Sequence, residues 1–330
     1  MQYAEGTDEF YARYHEVMPE DFIHLDVAEQ RRLFERLGDA FPYDLPDGIR
    51  VEHHEITRDG RRLLFRSYRP ERPRGRGFVV YFHGGGFVVG SLDSHEPIVA
   101  ELADRTGLVA VSAEFPHAPE HPFPAALEDC YAILGALAED PGLVGGDVDT
   151  AEPVLCGDSS GANLAVALCM LCRDRGGPRP KGQGLIGPVL DFARWFDGNP
   201  EVDFGEEMRH YTRSYCPTRE LVEHPYASPL VHGSFHGLPP AYVMSTEYDE
   251  LREDAEVYAE RLRELGIPVQ LVVEPGLPHA PVRGRSVIPQ VADAWRRYCA
   301  AVGLLAEPVI DLRDGVLTTG GRLGSRAGTR

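Results

Sequence analysis

The chain has 330 residues, 43% hydrophobic and 26% charged, proportions of a globular protein rather than a disordered or fibrous one. Its 52 acidic and 33 basic residues give a net charge of −19, a surface that repels phosphate backbones and anionic lipid and argues against nucleic acid as a partner. The opening stretch Met1 to Glu9 is acidic where a signal peptide is basic, and no run of about 18 apolar residues follows, so the sequence predicts a cytoplasmic protein without membrane insertion.

Asp26, three residues before Glu29, starts a capping-box-like helix whose apolar positions Val27, Leu33, Phe34 and Leu37 share one face. The first 45 residues read as helical, and their aromatics, Phe10, Tyr11, Tyr14, Phe22 and Phe34, require a surface to pack over. Val51 to Thr57 and Arg62 to Tyr68 flank Asp59-Gly60 and predict a β-hairpin. From Phe78 onward short apolar runs alternate with helical stretches. Strands are expected at 78–82, 108–112, 153–156, 185–190, 241–245 and 269–273, with helices at 125–137, 162–173, 253–265 and 288–301. That alternation predicts an α/β fold with a mostly parallel central sheet and helices on both faces, made mixed by the hairpin.

Between Phe192 and Pro225 the pattern breaks into an irregular, aromatic-rich stretch, with Trp195, Phe196, Phe204, Met208, Tyr211 and Tyr215, which reads as an inserted lid. Cys130, Cys156, Cys169, Cys172, Cys216 and Cys299 sit mostly in apolar runs, as buried thiols do. The lone Cys169-x-x-Cys172 has no second pair and no neighbouring His, so a buried-thiol reading is preferred to a metal or redox one. Val316 to Arg330, with Arg322, Arg326 and Arg330 and no acid, reads by composition as a flexible basic tail.

Four signals carry chemistry. Gly157-Asp158-Ser159-Ser160-Gly161 directly follows a strand and directly precedes a helix, the setting that a G-x-S-x-G nucleophile elbow requires. Small residues at 157 and 161 let the flanking backbones pass, and Ser159 is held at a helix N-terminus that favours developing negative charge. His83-Gly84-Gly85-Gly86-Phe87 follows strand 78–82 without the Lys-Ser/Thr of a phosphate loop, and fits an oxyanion hole built from the N–H groups of Gly84, Gly85, Gly86 and Ser160. His83 itself reads as a residue that fixes the loop. Asp249 and His279 each lie just past a predicted strand, completing the chain order Ser, Asp, His. Glu247, Glu250 and Asp254 compete with Asp249, and His117 and His121 with His279; position after the strand favours Asp249, and the two histidines precede Ser159 in a Pro-rich turn.

Over residues 78–304 the chain resembles the hormone-sensitive lipase family of α/β-hydrolases, the bacterial carboxylesterase and acetyl hydrolase type. The resemblance is carried by Tyr81 to Ser91, Ala118 to Ala126, Gly157 to Ala165, Ala227 to Leu230, Leu238 to Pro240 and Tyr248 to Arg252. It implies an α/β-hydrolase fold with a helical cap, Ser159, Asp249 and His279 as the triad, and residues 1–45 together with an insertion at 192–220 as the cap. The catalytic domain is then 46–304, with a C-terminal extension at 305–330. Glu114-Phe115-Pro116-His117 departs from the family's Tyr-Arg before the Ala-Pro-Glu block, Ala280-Pro281 replaces Gly-Phe after the histidine, and Ser160 replaces a common Ala.

The reading is a serine hydrolase that cleaves a small carboxylic ester, an acetyl or other short-acyl one, through an acyl-serine intermediate, with no metal or organic cofactor. Non-hydrolytic acyl transfer, cyclisation or elimination on the same scaffold, and a small-molecule receptor, are the alternatives. The partner is a small-molecule ester, and the sequence leaves a homo-oligomer open.

Overall fold

The computed structural model describes residues 2–202, 204–279, 281–307, 310–313 and 316–319. Strands β1 (Ile49–Arg58) and β2 (Arg61–Pro70) form the expected hairpin, with Asp59 and Gly60 at φ 52° and 75°, the left-handed pair that a tight turn between twisted strands needs. Next come β3 (Phe78–Phe82), β4 (Val109–Ala113), β5 (Val154–Asp158), β6 (Gly182–Ile186), β7 (Ala241–Tyr248) and β8 (Val269–Pro278). The sheet order is β1-β2-β4-β3-β5-β6-β7-β8; the pairs β1–β2 and β2–β4 are antiparallel and every pair beyond them is parallel.

Parallel strands buried on both faces lose the polar alternation of a half-exposed sheet, and β3 and β4 are buried at every position. Val79 and Tyr81 join one core layer with Trp295 and Tyr298, while Phe78, Val80 and Phe82 join the larger layer on the opposite face. Because the strands from β3 to β8 are parallel, the residues following β3, β5, β7 and β8 emerge along one edge, the place where an open α/β sheet binds its ligands.

Several expectations are corrected. The strand expected at 185–190 is Gly182–Ile186. A Cβ on Gly184 would lie 2.8 Å from both Cys156 Sγ and Tyr298 Oη, so the glycines that hide this strand from propensity are what let the helix Pro289–Leu305 approach it. Gly187, at φ 48°, ends the strand, and Leu190 donates its N–H to Asp254 Oδ2 at 2.6 Å instead of to a ladder partner. The helix Leu92–Thr106, absent from the sequence reading, starts at a Ser91/Ser94 capping box and carries Pro97 inside it. The stretch after Phe192 is less irregular than expected, since it holds the helix Gly205–Tyr215, which buries Met208, Tyr211 and Tyr215 along one face.

The N-terminal segment folds as helices Thr7–Val17, Val27–Glu35 and Leu37–Ala40, and Asp26 accepts the Glu29 N–H at 3.0 Å as its capping pattern predicts. Val316–Thr319, read as tail, instead pairs antiparallel as β10 with β9 (Ile310–Arg313); the alternation Ile310-Asp311-Leu312-Arg313 followed by an Asp-Gly dipeptide is a sequence signal for a hairpin that outweighs the basic composition. Arg322, Arg326 and Arg330 of the expected tail, and Ala280, lie outside the described residues. Among the described residues no helix is long and apolar enough to cross a membrane.

Candidate active site

The turn from β5 into the helix Ser160–Arg175 places Ser159 at φ 51°, ψ −116°, a conformation that costs an L-residue about 1–3 kcal/mol and persists only where the surroundings impose it. They impose it here by close packing. A Cβ on Gly161 would sit 2.0 Å from Phe82 O, and one on Gly157 2.4 Å from Gly161 C, so the strand, the turn and β3 approach more closely than any side chain allows. The Ser159 N–H donates to Ile186 O at 2.8 Å, tying the turn to β6.

Asp249 and His279 follow β7 and β8. A register irregularity after Thr246 leaves Tyr248 opposite Pro278, which sets the two next residues side by side, and Thr246 Oγ1 donates to Pro278 O at 2.8 Å to hold that end. His279 Nδ1 lies 2.8 Å from Asp249 Oδ2, and His279 Nε2 lies 3.0 Å from Ser159 Oγ. An ionised carboxylate only accepts, so Nδ1 carries the hydrogen and Nε2 presents its lone pair to the Ser159 hydroxyl. Asp249 is itself held by the Leu251 N–H, which donates to Oδ1 at 2.8 Å. Burial disfavours a charged imidazole at 279, but the charge and hydrogen bond of Asp249, with Glu207 and Asp158 adding to them, outweigh it, so His279 titrates above its ordinary value.

The glycine-rich loop lies across from the hydroxyl. Gly85 and Gly86 take φ 121° and 62° and border the same cavity as Ser159. Among the described residues the N–H groups of Gly85, Gly86 and Ser160 donate to no protein acceptor, which leaves them free for an oxygen that gains charge. Gly84 differs from the sequence expectation: its N–H donates to Asp158 Oδ1 at 3.1 Å. That carboxylate also accepts from Tyr81 Oη at 2.8 Å, so the Gly84 N–H is engaged in anchoring the loop. His83 is buried, stacked on Phe115 with ring centroids 4.2 Å apart, and bonded through Nδ1 to Gly84 O at 2.9 Å; it faces away from Ser159 chemistry, as do His117 and His121, none of which borders the cavity.

The cavity measures about 340 Å³, at the small end for ligand pockets. Its roof comes from two separate stretches: Phe10, Tyr14 and Phe34 of the N-terminal helices, and Phe204, Met208 and Tyr211 of the later insertion. Tyr215 of that insertion stacks on Phe87 at 3.7 Å and 8°, and Arg31 of the N-terminal segment donates to Val88 O at 2.9 Å and Ala118 O at 3.0 Å, so both stretches grip the glycine loop. Three charged groups in the wall were not singled out from sequence: Asp158, Glu207 and Arg283. Burial pushes the Glu207 carboxyl up, opposed by His279 and a hydrogen bond with Tyr211. Asp158 was legible as a carboxylate inside the elbow; Glu207 and Arg283 lie on surface-type helical and loop patterns that carry no signal.

The assembled groups suit acyl transfer: a hydroxyl with an adjacent base, a fixed tautomer, and unpaired backbone donors at one point. Comparisons with known proteins agree with that chemistry. A family model described as alpha/beta hydrolase fold matches residues 79–283. The chain is similar to carboxylesterase NlhH of Mycobacterium tuberculosis, 32% identical over 299 residues that cover 87% of this chain and 92% of that protein. It is also similar to an acetyl-hydrolase of Streptomyces hygroscopicus, 33% identical over 299 residues, with 84% of this chain and 92% of that protein covered. Among solved structures, an esterase of Pyrobaculum calidifontis in its monoclinic form matches with a TM-score of 0.79 at 31% identity, covering 90% of this chain and 98% of that one.

Proposed function

This chain belongs to the hormone-sensitive lipase-like family of the α/β-hydrolase fold and is a carboxylic ester hydrolase, and from that premise we propose that Ser159, His279 and Asp249 perform the reaction on a short-acyl ester. The observation that carries the reading is the unbroken chain from Ser159 Oγ through His279 to Asp249, at 3.0 and 2.8 Å, beside backbone N–H groups with no acceptor among the described residues.

His279 Nε2 takes the proton of Ser159 as Oγ bonds to the ester carbonyl carbon. The carbonyl oxygen, now an oxyanion, accepts from Gly85, Gly86 and Ser160, each such donor contributing about 3–4 kcal/mol to lowering the barrier. His279 then hands its proton to the departing alcohol, leaving an acyl-serine; a water repeats the sequence with His279 as base, releasing the acid and restoring Ser159. Asp249 keeps its charge throughout, holding the tautomer and steadying the imidazolium.

Residues 1–45 and 192–220 act as the cap, since both supply the aromatic roof. The small cavity under it supports an acetyl or similarly short acyl group, and the acetyl-hydrolase relative supports the same class. A cytoplasmic setting belongs to this reading and is supported by six buried cysteines, all of them unpaired.

The test is intact-mass analysis after exposure to a small fluorophosphonate, comparing wild type with Ser159→Ala, followed by a p-nitrophenyl ester series. One adduct on the wild type, none on the variant, and fastest turnover for the shortest acyl chains are expected. A folded wild type that takes no adduct overturns the assignment of Ser159, and product analysis showing acyl transfer to an added alcohol at the expense of water overturns hydrolysis.

A further inference from the structure

The geometry points to a second site in this chain, a divalent transition-metal site formed by His83, Glu114 and His117 at the base of the glycine-rich loop. One donor atom from each of the three side chains lies within 4.8 Å of the others. His83 is 0% exposed, and its Nδ1 is 2.9 Å from Gly84 O. A carbonyl oxygen only accepts, so Nδ1 carries the hydrogen and Nε2 is an unprotonated lone pair; that atom is buried and has no partner. Among the described residues His117 Nε2 is likewise buried without a partner, and Glu114 adds a carboxylate whose one donor there is the Leu92 N–H at 3.2 Å.

Buried polar atoms in native structures are nearly always satisfied, and here two unpartnered imidazole nitrogens and a carboxylate converge on one point, an arrangement that a cation satisfies once His117 takes the Nδ1–H tautomer. The fit is close. The centre of a triangle with sides of 4.8 Å is about 2.8 Å from its corners, so each donor needs to move in by only about 0.7 Å to reach an ordinary coordination distance of about 2.1 Å. Two imidazoles and one carboxylate select zinc or its neighbours in the first transition row over calcium or magnesium, which take oxygen.

The surroundings suit a ligand histidine: the second nitrogen of His83 is oriented by a backbone carbonyl, and Phe115 stacks on the ring at 4.2 Å and 15°. Glu114 and His117 are each only partly buried, so the cluster lies closer to the surface on their side than on that of His83. None of the three borders the cavity that holds Ser159, so the ion is a clamp and not a reactant. It would pin the end of β3, immediately before Gly84, to the segment after β4.

Untagged full-length protein, stripped with chelator and dialysed, is titrated with Zn²⁺ by calorimetry and with Co²⁺ by visible absorption. One equivalent bound at micromolar concentration or below, Co²⁺ bands of a histidine-containing site and a raised melting temperature are expected. His117→Gln and Glu114→Gln should each weaken binding at least about tenfold, while His121→Gln, at an exposed neighbour, should not. Circular dichroism checks that the variants fold, and the wild-type stoichiometry and Co²⁺ spectrum stand apart from them. Less than half an equivalent of Zn²⁺ on the wild type, or undiminished binding in both His117→Gln and Glu114→Gln, overturns the site.

Discussion

Asp158 Oδ1 accepts the N–H of Gly84 at 3.1 Å, so the residue next to Ser159 also fixes the first glycine of the loop that faces it. Burial pushes this carboxyl up, but His95, Tyr81 and Arg283 outweigh it and bring it down to about 2. His95 is itself held below its ordinary value by burial, so near neutral pH it acts as a dipole and Arg283 supplies the charge. A lowered carboxyl stabilises the fold above its unfolded value near 3.8 and loses that contribution as pH falls toward 2, a difference of about 2 kcal/mol at most. Asp158→Asn should therefore cost up to about 2 kcal/mol at pH 7, with the gap to wild type closing below pH 4. Urea unfolding across that range measures it; a gap independent of pH would contradict the assignment.

The pH profile of turnover offers a separate check on the base. As the proposed base His279 must be neutral, and its raised value predicts that kcat/KM falls with acidity sooner than for an ordinary imidazole. In Asp249→Asn the charge that does most to raise it is lost while burial remains, so the acid limb should move to lower pH as kcat drops by about 10³–10⁴-fold. An unmoved limb would mean that another group controls the profile.

Two glycines with left-handed backbones separate the loop's role from the general cost of replacing glycine. Gly85→Ala would bring a Cβ within 2.2 Å of Val89 O, whereas at Gly60 nothing lies within 4 Å. Gly85→Ala should lower kcat by about 10²–10³-fold through displaced N–H donors, and Gly60→Ala should leave it unchanged. Both variants should lose some thermal stability.

Chain-length preference should follow the roof. Met208 is 3% exposed and borders the cavity, so Met208→Ala lengthens the acyl space. The ratio of kcat/KM for hexanoate to that for acetate should rise about tenfold or more, since one methylene in an apolar pocket is worth about 1–3 kcal/mol. Stability should fall by about 2–5 kcal/mol, which chemical denaturation will read.

The residues proposed for chemistry were legible because each stands just past a strand and because backbone contact dictates glycine at 157 and 161. Local pattern was silent where a tertiary contact decides. The Gly84 N–H looked free until the fold brought Asp158 against it. Strand β6 was displaced because Gly182 and Gly184, required by the helix behind them, carry little strand propensity, while the apolar run Val189-Leu190 beyond it carries more. The helix Leu92–Thr106 was hidden by Pro97, and Glu207 gave no sign because a carboxylate on a helix ordinarily faces water.

The backbone at Ser159 has a bearing on how this protein can be improved. Held at φ 51°, the serine sits where glycine would be relaxed, so an inert Ser159→Gly descendant should outlast its working parent by about 1 kcal/mol or more. A library ranked on heat tolerance alone would thus drift toward durable, inactive chains, with codon 159 among the first to go. Selection that demands turnover in every round keeps that route closed and pushes stabilising changes out to positions that the reaction does not use.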